Sequence, residues 1–277
     1  MHPGSIAFRR RQSRADRRRD AGWRGRARGV CAGACLALTP GLAAAADWTA
    51  GYDTPSAGQG YGGAPNAIIA IDTSVTATTT NSLFANTSIT GALTGDLDQN
   101  SGWRARVEGI IGGFEYNTTD QGRIIGSQQG ASALVGYEWI EPDVHVAAYI
   151  GFNWQNIKLD PVDPGNSTRG HGYGLRVVGE LYANPTEYTM TSAYGTYSTH
   201  ANAFYTRFKL GYALWDRTFI GPEFQLLGDN SYRQWRLGAH ITGLTFGRFQ
   251  FGLSGGYLRD SRSGPGGYVL VDSRVTF

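Results

Sequence analysis

The chain has 277 residues, and its 25 Lys and Arg against 22 Asp and Glu give a formal net charge of +3. Both cysteines, Cys31 and Cys35, lie near the N-terminus, so the rest of the chain is predicted to have no disulfide, cysteine–metal site or cysteine nucleophile. Nothing after Ala46 approaches the roughly 18 continuous apolar residues of a membrane helix, which leaves a soluble exported β-protein or a membrane β-barrel.

The first 46 residues have the pattern of an export signal. Ten arginines within residues 1–28 precede a short apolar run, Val30–Leu38, and then a stretch of small residues that ends at Ala46. This order predicts a secretory signal peptide, residues 1–46, cleaved between Ala46 and Asp47. Its removal would leave 15 basic and 20 acidic residues, a formal charge of −5, so the arginines do not indicate a nucleic-acid partner.

Residues 47–80 are rich in Gly, Pro and Thr and are predicted to form a flexible lead-in. The first strand has two candidate positions there, about 47–54 or 67–79. Residues 81–277 are assigned to one barrel domain.

From Asn81 onward, apolar and polar positions alternate in segments of about 10 to 15 residues separated by turn residues, which is the weak, repeated signal of a transmembrane barrel. We therefore predict an all-β fold, a closed antiparallel up-and-down transmembrane β-barrel of twelve strands, with ten as the alternative. A soluble β-sandwich would not require the export signal and the sorting of charges onto one face. The later strands are placed at about 82–95, 102–116, 130–140, 143–156, 169–183, 186–199, 202–215, 217–227, 231–243, 247–258 and 268–277.

Connections and aromatic residues give two further expectations. With both termini periplasmic, the inner turns should be tight and the outer loops long. The predicted outer loops are "NTTDQGRIIGSQQ", "KLDPVDPGNSTRG" and "RDSRSGPGG". Phe277, the last residue, is predicted to be the barrel-assembly signal. Aromatic residues predicted to mark the membrane interfaces are Trp103, Trp139, Tyr182, Trp215 and Phe277 at the inner ends, and Trp154 and Tyr257 at the outer ends.

Charged residues fall on one face of the predicted strands, and that face should point inward, since Lys or Arg facing lipid at the midplane costs about 2–4 kcal/mol. Two readings stay open: an ion-paired filling that stiffens the barrel, or a polar conduit or sugar-binding surface, because twelve strands lie between filled and open barrels. The candidate lumenal residues are Arg104, Arg106, Glu108, Arg176, Glu180, Arg207, Lys209, Glu223, Arg236, Asp272 and Arg274, together with Glu138, His145 and His240.

An enzyme is the least favoured class. Ser198 and His200, with Glu187 earlier in the same segment, are the closest approach to a nucleophile, a base and an orienting acid. The segment is so rich in Ser and Thr that we interpret the pair as coincidental. Asp160 and Asp163 are interpreted as a proline turn, because their spacing matches no calcium loop. No catalytic residue, metal or cofactor is predicted.

The stretch "FIGPEFQLLGDNSYRQWRLGAHITGL", Phe219–Leu244, with "GYEWIEPDVHVAAYIGFNWQN" and "GLSGGYLRD", resembles the BcsS family of bacterial cellulose-biosynthesis proteins. The resemblance implies an exported outer-membrane accessory protein of cellulose biosynthesis or export, in contact with outer-membrane lipid and with cellulose or components of the cellulose synthase complex. It implies no catalytic residues. Glu223 and Arg236 are candidates for a lumenal pair. Tyr149, Tyr173 and Tyr232 are candidates for stacking on a glucan. The alternatives are a porin-like or structural barrel with no role in cellulose production, or a lipid-modifying enzyme.

Overall fold

The computed structural model of the protein describes residues 66–215 and 217–277. These residues form strands that close into a barrel, in which each strand pairs antiparallel with its neighbours in sequence and the first pairs with the last. The strands are β1 Ile69–Thr78, β2 Leu83–Ala92, β3 Gly102–Thr118, β4 Gly122–Glu141, β5 Val144–Asp160, β6 Gly170–Thr186, β7 Thr189–Ser198, β8 Ala203–Trp215, β9 Thr218–Gly228, β10 Arg233–Phe246, β11 Phe249–Asp260 and β12 Gly264–Thr276.

The prediction of a closed twelve-stranded barrel is confirmed, and the ten-stranded alternative is wrong. The signal peptide, its cleavage site at Ala46 and Asp47, and the candidate strand at 47–54 lie outside the described residues. Among those residues, no helix is long and apolar enough to cross a bilayer.

The barrel begins at β1, within the segment assigned to the lead-in. Ile71 and Val75 lie on one register of this strand, and Asp72, Ser74 and Thr76, which are buried, lie on the other. β1 pairs with β2 from Ile69 and with β12 from Ala70, so it closes the barrel.

Two of the predicted outer loops are instead tight hairpins. β3 pairs with β4 up to Thr118 and Gly122, and β11 pairs with β12 up to Asp260 and Gly264. Each three-residue turn is followed by a glycine with positive φ, +71° at Gly122 and +82° at Gly264, which is the geometry of a three-residue hairpin loop. The loop of 161–169, between β5 and β6, is a genuine long connection. The "DQNSG" turn is longer than predicted, because β2 ends at Ala92 and β3 begins at Gly102.

Burial alternates along most of each strand, which separates an apolar outer face from an inner face. Trp103 and Trp139 are half exposed on the outer face and form an aromatic cluster with Tyr137. Tyr182, predicted at the membrane interface, is instead buried on the inner register and packs with Met190. Large apolar side chains exposed on the outer face include Val107, Ile111, Val135, Ile150, Val177, Phe208, Leu210, Leu237, Leu253, Val269 and Val271.

Candidate functional site

The inner face carries the charged side chains singled out from the sequence. All fourteen are buried, with exposures of 7% or less. The alternation of side chains along each strand turns them toward the barrel interior.

A first group of ion pairs joins β3 to β4 and β6. The Arg106 guanidinium forms a bidentate pair with Glu180, with nitrogen–oxygen distances of 2.6 and 3.2 Å. Its Nε donates to Thr90, and the group lies 3.9 Å from the centroid of the Tyr149 ring. Because β4 and β5 lie between β3 and β6, the Arg106–Glu180 pair crosses the interior.

Two further pairs extend this group. Glu108 lies 3.1 Å from Nε of Arg176 on β6. Nε of Arg104 donates to Glu138 over 2.8 Å, and its other nitrogens donate to backbone carbonyls of the loop between β2 and β3. Arg104 therefore anchors that loop to the barrel.

A second group is centred on Arg207. Its guanidinium lies 2.6 Å from Glu223 on β9 and 3.3 Å from Asp272 on β12, and Lys209 lies 3.6 Å from Asp272. Tyr268 donates to Glu223 over 2.9 Å. These contacts tie β8 and β9 to β12 across the interior.

The candidate lumenal pair of Glu223 and Arg236 is connected through the side chain of Gln225. Glu223 forms an ion pair with Arg207. Arg236 donates to Gln225 over 3.2 Å, and Gln225 in turn donates to Glu223 over 2.5 Å. Gln225 lies between the two side chains because Arg236 and Gln225 are cross-strand partners.

Each of the carboxylates on the inner face between the strand ends lies within 4.0 Å of a cation. Asp72 on β1 pairs with Arg274 over 3.6 Å. The other pairs are Glu108 with Arg176, Glu138 with Arg104, Glu180 with Arg106, and Glu223 and Asp272 with Arg207. The interior thus presents compensated charges rather than a field of one sign.

The wall made by β1 and β2 carries neutral polar side chains. Ser74 and Thr76 on β1 and Asn86 and Ser88 on β2 are all buried to 1% exposure or less. Ser74 is directly opposite Asn86 in the register. The side-chain oxygens of these residues and the amide nitrogen of Asn86 have no hydrogen-bond partner among residues 66–215 and 217–277. We call these four residues the polar patch.

A row of aromatic rings continues from the polar patch along β2 and β3. The centroids of Phe84 and Phe114 are 6.4 Å apart with an interplanar angle of 13°, and those of Phe114 and Tyr116 are 6.3 Å apart at 17°. The Phe84 ring lies over Gly112 and the Phe114 ring over Gly126, where a Cβ would clash with each ring. The glycines therefore allow the rings to lie flat on the inner wall. We call these three residues the aromatic row.

The loop of 161–169 covers the end of the aromatic row away from the chain termini. Tyr116 donates to Asp163 over 2.7 Å and accepts from Asn166 over 3.2 Å. The guanidinium of Arg262, from the turn between β11 and β12, lies 4.6 Å from the Tyr116 ring centroid. Asp163 also accepts from the backbone of Gly165, which stabilises the turn within the loop. We call the two hydrogen bonds of Tyr116 with Asp163 and Asn166 the latch.

The residues considered for catalysis do not come together. Ser198 lies at one end of β7, donates to Asn153 over 2.9 Å and accepts from the His200 backbone over 3.1 Å. Glu187 lies at the other end of β7, in the turn that precedes it. The His200 imidazole lies over Gly172, and burial lowers the pKa of this imidazole below its usual 6.5. This geometry assembles no triad.

Sequence reasoning missed both the polar patch and the aromatic row. Of the tyrosines it named, Tyr149 is covered by Arg106, Tyr173 is 76% exposed on the outer face, and Tyr232 is buried in the turn between β9 and β10. The alternation of residues 69–78 was the available signal for the patch. Prediction of the flat aromatic row requires the strand register, because the glycines beneath its rings lie on neighbouring strands.

Known structures give distant similarities. The KdgM porin is 12% identical with a TM-score of 0.46, and the match covers 75% of this chain and 99% of that chain. The beta domain of the Bordetella autotransporter Brka is 9% identical with a TM-score of 0.45, covering 76% and 100%. The Pseudomonas putida toluene transporter TodX is 9% identical with a TM-score of 0.41, covering 85% and 95%. No curated protein matches the chain.

The sequence profile of the family described as cellulose biosynthesis protein BcsS matches residues 74–277. This range runs from within β1 to the last residue and so spans almost the whole barrel. The resemblance noted in the sequence is confirmed, and the chain belongs to the BcsS family of cellulose biosynthesis proteins.

Proposed function

We propose that the protein is an outer-membrane accessory barrel that assists the production or export of cellulose and catalyses no reaction itself. Family membership across residues 74–277 carries this proposal. The apolar outer face supports placement in a lipid bilayer, with lipid as a partner. Cellulose, or a component of the synthase complex, is the second proposed partner.

The balance of charges on the inner face supports a role with a neutral polymer. A lumen that selects an anion or a cation carries an excess of the opposite charge, whereas the carboxylates on these strands are compensated. A cellulose chain carries no charge. An interior of paired charges and neutral hydrogen-bonding groups suits such a chain better than an ionic solute.

Export and assembly belong to the same proposal. Residues 1–46 would direct secretion, with cleavage between Ala46 and Asp47. Phe277 would serve as the assembly signal: its ring is half exposed on the outer face, and its backbone exchanges hydrogen bonds with Ile68 and Ile69 at the strand closure. Deletion of Phe277 should lower the amount of folded barrel in the outer membrane.

The test is deletion of the gene followed by measurement of secreted cellulose, with the synthase quantified in the same cells. Secreted cellulose should fall while synthase abundance stays constant, and the full chain supplied in trans should restore it. Unchanged cellulose would leave a porin-like or structural barrel with no role in cellulose production. Single-channel recording of the purified barrel then separates a passage from an ion-paired filling.

A further inference from the structure

The polar patch is one part of the interior where neutral hydrogen-bonding groups are left without a partner in the described chain; the Ser132 hydroxyl on β4 and the Gln155 carboxamide on β5 are others. Ser74, Thr76, Asn86 and Ser88 are buried and unpartnered within the described chain. Folded proteins satisfy the large majority of such groups, because an unsatisfied one costs about 1–3 kcal/mol. Four of them side by side on two paired strands indicate a surface that binds something outside the described chain.

The chemistry of the patch restricts the ligand. Its groups are three hydroxyls and one carboxamide, which both donate and accept hydrogen bonds and carry no charge. The nearest carboxylate on β1, Asp72, is paired with Arg274. A ligand rich in hydroxyl groups and without charge matches these donors and acceptors, and an anionic or cationic ligand gains no counter-charge there.

The aromatic row supplies the second half of the site. Phe84 is the cross-strand partner of Thr76, so the row begins where the patch ends. One face of the Phe84 ring lies on Gly112 of the wall. The ring is 1% exposed and belongs to a packed cluster with Phe114 and Tyr116, so a sugar ring reaches it only where this cluster opens. Sugar rings pack their C–H faces on flat aromatic rings, while their hydroxyls bond to neighbouring polar groups.

We propose that the wall of β1, β2 and β3 is a binding track for a neutral β-linked glucan chain. Sugar rings pack on Phe84 and Phe114, and their hydroxyls bond to the polar patch. The choice of a β-linked glucan among neutral sugars rests on the proposed function. The latch of Asp163 and Asn166 on Tyr116 closes the outer end of this track.

The experiment measures the affinity of the purified full barrel in detergent for cellohexaose by titration calorimetry. Maltohexaose serves as the α-linked neutral control and a galacturonate oligomer as the anionic control. We expect binding of cellohexaose in preference to both. Asn86→Leu should weaken it at least about tenfold, because its hydrogen bonds are replaced by an apolar group of similar volume. Thr87→Val, on the exposed outer register of the same strand, should leave the affinity unchanged.

A second variant, Ser88→Ala, protects the test against misfolding. Because neither Asn86 nor Ser88 has a partner in the described chain, both variants should unfold at a urea concentration no lower than that of the parent protein. Unchanged cellohexaose affinity in both variants, or binding of none of the three sugars, would overturn the track. If none of the three sugars binds but the deletion strain loses secreted cellulose, the track is rejected and the proposed function stands. Normal cellulose in the deletion strain with cellohexaose binding that depends on Asn86 would remove the proposed function and keep the track.

Discussion

Inward-facing side chains have different partners in two regions of the barrel. On β3 to β6, charged side chains find partners across the interior, as in the pair of Arg106 with Glu180. On β1 and β2, Ser74 and Asn86 face each other and have no partner in the described chain. The comparison teaches that inward polarity in a barrel has two meanings. Paired charges join the strands, and the unpaired neutral groups of the polar patch are the proposed contacts of a ligand.

Removing one partner of the central ion pair is the strongest way to test this contrast. Arg106→Leu leaves Glu180 buried without its bidentate partner, so the free energy of unfolding should fall by about 3–5 kcal/mol. Urea unfolding in detergent micelles, followed by tryptophan fluorescence, measures the loss. The double variant Arg106→Leu/Glu180→Leu should recover much of it. A single variant as stable as the parent would show that the pair does not hold the wall.

The latch at the end of the aromatic row should give a smaller, local effect. Tyr116→Phe keeps the ring and removes the hydroxyl that bonds Asp163, a hydrogen bond to a charged group worth about 1.5–3 kcal/mol. The loop of 161–169 should open more often, so trypsin should cleave after Arg169 faster than in the parent protein.

The matched control for the latch is Tyr173→Phe. Tyr173 is exposed on the outer face close to the same loop, and removal of its hydroxyl should leave the cleavage rate unchanged. Equal acceleration by both variants, or by neither, would contradict the assignment of Tyr116 as the latch.

The turn at His200 should give the smallest effect, and it depends on pH. Burial lowers the pKa of this imidazole in the folded protein below its usual 6.5, so the unfolded chain binds the proton more tightly. Stability should therefore be full above about pH 6.5 and decline as the pH falls below it. The urea midpoint of His200→Gln should change less between pH 7.5 and about pH 5 than that of the parent protein. Parallel pH profiles would contradict this role for His200.

The sequence predicts most of the barrel because lipid on one side and a polar interior on the other impose a period of two. The prediction from sequence failed for the start of β4. There Ser127 and Gln129 are polar and exposed, and Gln128 between them is polar and buried. Both faces of that stretch are polar, so no alternation marks it. It also failed for Tyr182, since an aromatic residue at a strand end fits either face.

The candidate site was less predictable than the fold. Partners in neighbouring strands follow from register, but Arg106 and Glu180 meet across the interior, where barrel curvature decides the distance. The polar patch was invisible because the sequence shows which residues point inward, and only the structure shows which of them lack partners.

The most direct test of the account measures secreted cellulose in cells that carry Asn86→Leu or Thr87→Val in place of the parent gene. Both variants should reach the outer membrane at the parent level, because neither side chain takes part in an ion pair or in the aromatic row. Secreted cellulose should fall with Asn86→Leu and stay at the parent level with Thr87→Val. Equal secretion of cellulose by the two strains, at equal barrel abundance, would contradict the claim that the polar patch binds the glucan.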